Sequence, residues 1–282
     1  MNLLITGASG QLGQSLLSKI SLSDTICLTP DRNQLNVSDY TSVKRYFSEN
    51  RIDAVVHAAA FTAVDWAEKT PDICEKVNAL GTKYIAEECE KHNSYLIYLS
   101  TDYVFDGNKE NGYFPEDKTN PISVYGKTKQ LGEEYTMKTE HNLVIRTSWL
   151  FGKYGKNFVD SISTLALQKN SISVVCDQKG CPTYADDLAL LISRCLKIHP
   201  KGILHAVNEG VCTRSDFARE ILSLQKINCN VVDVLSEEYP SAARRPKNSV
   251  LDTSCLDKWD IPHLPHWRDA LKRYLLDGGR VK

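Results

Sequence analysis

Asn2-Leu3-Leu4-Ile5-Thr6-Gly7-Ala8-Ser9-Gly10-Gln11-Leu12-Gly13 is the stretch whose reading decides the fold. A β-prone run, Leu3 to Thr6, enters a Gly-x-x-Gly-x-x-Gly loop, and a helical pattern opens at about Gln11. Each glycine has a task in such a strand-to-helix turn. Gly7 permits the tight bend, Gly10 lets backbone approach a pyrophosphate, and Gly13 lets helix and strand pack closely. The phosphate would lie at the helix N-terminus, where free N–H groups and the dipole favour an anion. Glycines alone also serve purely structural turns. The order strand, loop, helix is what points to a dinucleotide.

Outward from this unit the pattern repeats. Thr25–Leu28, Ala54–His57, Tyr95–Leu99 and Leu143–Arg146 are continuous apolar runs without alternation, as in strands covered on both faces of a parallel sheet. Helical patterns lie between them, one over about Thr41–Asn50. Another runs from Thr70-Pro71, with Thr70 as expected N-cap, to about His92. The expected fold is α/β, a doubly wound parallel-sheet Rossmann domain over residues 1–150. After Trp149 the connections lengthen. Helices are expected near Asn157–Gln168, Asp186–Lys197, Arg214–Leu224 and Trp267–Leu276, with a strand at Ile172–Val175. Residues 151–282 therefore read mainly as a smaller α/β substrate domain, with some segments returning to the sheet. No Pro/Gly/Ser-rich linker separates the halves, so tight packing is expected.

Bulk properties exclude several classes. The chain has 282 residues, 42% of them hydrophobic, and a formal net charge of -1. Nucleic-acid binding driven by overall charge is not expected. No apolar run is long enough for a membrane span, and no signal-peptide pattern opens the chain, so a cytoplasmic location is expected. The nine cysteines are scattered without Cys-x-x-Cys or a zinc-type Cys/His spacing. They read as small reduced hydrophobes, and no metal site is assigned.

Tyr125-Gly126-Lys127-Thr128-Lys129 places Tyr and Lys at i and i+4, on one helix face. Tyrosine has an ordinary pKa of about 10 and is a slow acid at neutral pH unless tuned. A nearby ammonium is expected to stabilise the phenolate and lower that pKa. Ser100-Thr101-Asp102 ends a strand, at the edge where ligands bind in such sheets. The Thr101 hydroxyl could join Tyr125 in holding a carbonyl oxygen. His57-Ala58-Ala59-Ala60 ends another strand with small side chains, so backbone can pass close to a flat ligand. After the second strand come Thr29, Asp31 and Arg32. Asp31 favours NAD and Arg32 the 2′-phosphate of NADP, so NADPH is expected, with NADH left open.

With these motifs in order, the chain resembles the dTDP-4-dehydrorhamnose reductase family of extended short-chain dehydrogenases/reductases. The stretches that carry the resemblance are Gly7–Gly13, His57–Asp65, Ser100–Phe105, Val124–Lys129, Arg146–Trp149 and Ala243–Ser249. The resemblance implies hydride transfer to C4 of a dTDP-linked 4-keto-6-deoxy sugar, with Tyr125 as proton donor supported by Lys129 and Thr101. It implies that Gly10, Gln11 and Leu12 touch the cofactor pyrophosphate, that Asn36 and Val37 flank adenine, and that Ala59, Ala60 and Thr62 border the cofactor. Thr101, Asp102 and Trp149 would border the sugar, and Arg244 and Arg245 would take the nucleotide diphosphate. Some members bind magnesium between subunits. At two such positions this chain has Ser15 and Asp186, so no metal is assigned, and a homodimer is left open.

Three other readings compete. A 4,6-dehydratase would carry Asp-Glu after the strand-end Thr, whereas Thr101 is followed by Asp102-Tyr103. A 4-epimerase would show no net oxidation of cofactor. A non-catalytic regulatory subunit could dispense with Tyr125 and Lys129, which are both present.

Overall fold

The computed structural model describes residues 1–20 and 25–278. Strands β1 (Asn2–Thr6), β2 (Ile26–Leu28), β3 (Ala54–His57), β4 (Tyr95–Thr101) and β5 (Asn142–Thr147) form a parallel sheet in the order β2-β1-β3-β4-β5. Gly202–His205 adds a sixth parallel strand beside β5. The apolar runs are continuous because both faces are covered. Leu3, Ile5, Val56, Ile97 and Ile145 pack on one face against α1 (Gln11–Lys19) and the helix Ala185–Ile198. Leu4, Val55 and Leu96 pack on the other against α2 (Tyr40–Glu49) and the helix Gly81–Lys91. The chain leaves β1 toward β2 and returns to β3 on the other side of β1. That switch opens a crevice at the carboxyl ends of the strands.

A second core gathers Phe151, Phe217, Trp267 and Tyr274, all fully buried. It is enclosed by the helices Phe158–Ala166, Arg214–Gln225 and Trp267–Asp277 and by the parallel pair Ser171–Val175 and Asn230–Val234. Residues 185–205 belong to the first core instead, through the helix on α1 and the strand on β5.

The expected helix from Thr70 to His92 is interrupted. Pro71–Glu75 and Gly81–Lys91 are α-helical, but Lys76–Leu80 widens into a π-turn. Thr70 does not cap it, because its hydroxyl donates back to the Trp66 carbonyl at 3.0 Å. The π-turn aims Asn78 at the crevice wall, where its amide accepts from Phe61 N–H at 2.7 Å and donates to Thr128 Oγ1 at 3.2 Å. All nine cysteines are free thiols. Among the described residues no helix is long and apolar enough to cross a membrane.

Candidate active site

The crevice is a cavity of about 1060 Å³. That lies at the upper end for one small-molecule site and suits two ligands meeting. All the predicted cofactor-side residues line it: Gly7, Gly10, Gln11, Leu12 and Gly13 of the first loop, Asn36 and Val37, and Ala58, Ala59, Ala60 and Thr62. Thr101, Asp102, Tyr125, Lys129 and Trp149 line it as well.

The glycines are required sterically. Gly7 has φ +69, and a Cβ there would lie 2.7 Å from Ala59 N. A Cβ on Gly13 would meet Gly7 O at 2.3 Å, so any side chain would prise α1 off the loop. Behind the loop, His57 Nδ1 shares a 2.7 Å hydrogen bond with Thr6 Oγ1, which also accepts from Ala59 N–H at 3.2 Å. Burial holds the His57 imidazole at a pKa of about 3, with Lys129 repelling its charge, so the ring is a neutral strut. At the far end Asp31 Oδ1 is occupied by the N–H groups of Asn33 and Gln34, at 2.8 and 3.0 Å. Arg32 lines the cavity and forms no ion pair among the described residues.

The helix Val124–Thr136 is started by Ser123, whose side chain accepts from Gly126 N–H at 3.1 Å. Gly126 lets its first turn sit on the Tyr103 carbonyl, since a Cβ there would fall 2.1 Å from that oxygen. Glu133 anchors the other end, accepting from Ser100 Oγ at 2.5 Å and from Arg146 Nη2 at 2.7 Å. Tyr125, Lys129 and Glu133 thus form one stripe facing β4 and β5.

The electrostatics differ from the sequence expectation. Burial pushes the Tyr125 phenol above its ordinary value, and only the Thr101 hydroxyl opposes this. Burial also lowers the Lys129 ammonium from 10.5 to about 7, against the pull of Glu133. Lys129 Nζ donates to the Leu99 carbonyl and lies 4.1 Å from the Tyr98 ring centroid. Desolvation penalises both charged forms more than either helps the other, so the phenol is protonated at neutral pH. Asp102 is buried and its carboxyl is raised from 3.8 to about 6 by desolvation.

On the substrate side the expected arginines, Arg244 and Arg245, lie off the cavity lining, with Arg245 beside the lining residue Tyr103. Arg245 Nη2 instead pairs with Asp65 at 2.7 Å, a long-range partner that the local motif cannot reveal. A further cation on the wall, beside Trp149, is Arg214, which sequence reasoning did not single out. Ser15 donates to Asp186 Oδ1 at 2.7 Å, and Lys19 and Lys153 pair with the other oxygen of that carboxylate at 3.2 and 3.6 Å.

Five buried side-chain polar atoms lack a hydrogen-bond partner among the described residues. Three of them, Gln11 Oε1, Asp102 Oδ2 and Thr147 Oγ1, belong to residues that line this cavity. Each such orphan costs about 1–3 kcal/mol. With the glycine cradle, the residues present fit a dinucleotide.

A family model described as the RmlD substrate binding domain matches residues 1–278. The spore coat polysaccharide biosynthesis protein SpsK of Bacillus subtilis is 38% identical over 273 residues, covering 96% of each chain. A dTDP-4-dehydrorhamnose reductase of Aggregatibacter actinomycetemcomitans is 37% identical, covering 96% of this chain and 97% of its own. The crystal structure of dTDP-4-dehydrorhamnose reductase from Bacillus anthracis in complex with NADP superposes with a TM-score of 0.95 at 35% identity, covering 98% of this chain and 99% of that one. With its glycine-cradled crevice and its Thr101, Tyr125 and Lys129 cluster, the chain belongs to the RmlD substrate-binding-domain family.

Proposed function

We propose that this chain reduces the 4-keto group of dTDP-4-dehydro-L-rhamnose to give dTDP-L-rhamnose, using NADPH. The observation that carries the reading is the convergence of Thr101, Tyr125 and Lys129 on the same cavity as the Gly7–Gly13 loop. The related reductases named above, one of them an NADP complex, support it. A reduced nicotinamide held along that loop supplies the hydride. Tyr125, kept protonated by burial, releases its proton to the sugar O4. The Thr101 hydroxyl donates to the same oxygen as charge builds there. Lys129, one turn along the helix, offsets the phenolate charge left on Tyr125. Arg32, in no ion pair among the described residues, suits the 2′-phosphate of NADPH, while Asp31 is committed to its own turn.

The test is incubation of the purified protein with dTDP-4-dehydro-L-rhamnose and either reduced nicotinamide. Oxidation of one NADPH per dTDP-L-rhamnose formed is expected. Sugar interconversion without net oxidation would place the chain among epimerases and overturn the reading.

A further inference from the structure

We infer that Arg214 is a further substrate-binding residue, its guanidinium taking an oxygen of the substrate's diphosphate. This rests on the sugar-nucleotide reading of the cavity given above. Arg214 opens the helix Arg214–Gln225 and lines the cavity wall. Its guanidinium carbon lies 3.6 Å from the Trp149 ring centroid and 5.3 Å from that of Phe158. Among the described residues the guanidinium makes no hydrogen bond and no ion pair; it lies over those two rings, within the fields of Tyr103, Asp102 and Arg245. A guanidinium has five N–H donors and stays charged, so donors held in a cavity wall without acceptors imply a ligand that brings them.

The neighbouring groups define the ligand. Asp102 is only 2% exposed, and among the described residues its Oδ2 has no hydrogen bond of normal geometry, although the Ser249 side chain favours its charged form. It shares its electrostatic field with Arg214, yet the two form no ion pair. Both residues line the same cavity, so a ligand bringing an anionic oxygen to the guanidinium lies within reach of the Asp102 side of the wall. A sugar nucleotide brings such an oxygen, with ring hydroxyls beside the phosphate on its anomeric carbon. The planar fork of arginine suits two phosphate oxygens at once. The cofactor's own pyrophosphate is provided for by the glycine loop, and Arg245 is engaged with Asp65.

Trp149 is built to hold this arginine in place. Its φ is +45, a strained value for a tryptophan. Gly180 makes room for its indole, because a Cβ there would fall 2.6 Å from the ring. Arg214 covers the ring itself.

The competing role, that Arg214 merely braces Trp149, is separable. Arg214→Met keeps an apolar stem over the indole and removes charge and donors, whereas Arg214→Lys keeps the charge. Calorimetry would measure dTDP and NADPH binding to wild type and both variants, alongside kcat and KM. The expected result is a dTDP Kd raised about tenfold or more by Met and partly restored by Lys. The sugar-nucleotide KM should follow the dTDP Kd, with NADPH affinity unchanged. Unchanged dTDP affinity in Arg214→Met, a Lys variant no better than Met, or no dTDP binding by wild type would each overturn it. If wild type binds dTDP but reduces no 4-keto sugar, the reaction assigned above fails, while the binding comparison still decides the role of Arg214.

Discussion

Asp102→Asn should stabilise the cofactor-free protein at neutral pH. Asp102 is 2% exposed, and among the described residues one carboxylate oxygen lacks a hydrogen bond of normal geometry. Desolvation raises its carboxyl from 3.8 to about 6, although the Ser249 and Thr101 hydroxyls and the Arg214 charge pull the other way. For a raised carboxyl the native state keeps its proton where the unfolded chain has lost it. Its contribution is therefore favourable below about pH 4 and is lost as pH rises to about 6. At about 1.4 kcal/mol per pH unit, the cost of the charged form above that window is about 3 kcal/mol. Asparagine has the same shape and cannot ionise. Urea unfolding of wild type and Asp102→Asn from pH 4 to pH 8 should show no gap at the acid end. The variant should gain up to about 3 kcal/mol above pH 6. The same variant should raise the sugar-nucleotide KM, since the carboxylate is left for a ligand hydroxyl. A gap independent of pH, or a variant less stable throughout, would refute the assignment of a desolvated carboxylate.

Other consequences follow from the cofactor end. Gly13→Ala puts a methyl 2.3 Å from Gly7 O, so NADPH binding measured by fluorescence should be lost along with several °C of melting temperature. Arg32→Ala should raise the KM for NADPH about tenfold or more while leaving that for NADH within about twofold, because only the 2′-phosphate needs the guanidinium.

How much of this was legible in the sequence follows from the range of each interaction. Gly7–Gly13 and the Tyr125/Lys129 pair announce themselves because their geometry is local, a turn and one helical turn. Thr101 was legible because a strand ends beneath it. Arg214 was not, because the Trp149 ring that positions it lies far away in sequence. For the same reason the ion pair of Arg245 with Asp65 was not legible. The π-turn at Lys76–Leu80 escapes helical periodicity, and the strand Gly202–His205 is too short to be distinguished from a loop without β5 beside it. The expected lowering of the Tyr125 pKa failed because burial, a tertiary property, outweighs a charge one turn away.

The most direct test of the central claim is the single-turnover rate of Tyr125→Phe with dTDP-4-dehydro-L-rhamnose and NADPH. The phenyl ring keeps the packing against Tyr103 and removes the hydroxyl that carries the proton. A positioned acid contributes about 10²–10⁴-fold, so the rate should fall by that factor while NADPH affinity is retained. Full turnover by Tyr125→Phe would contradict the account.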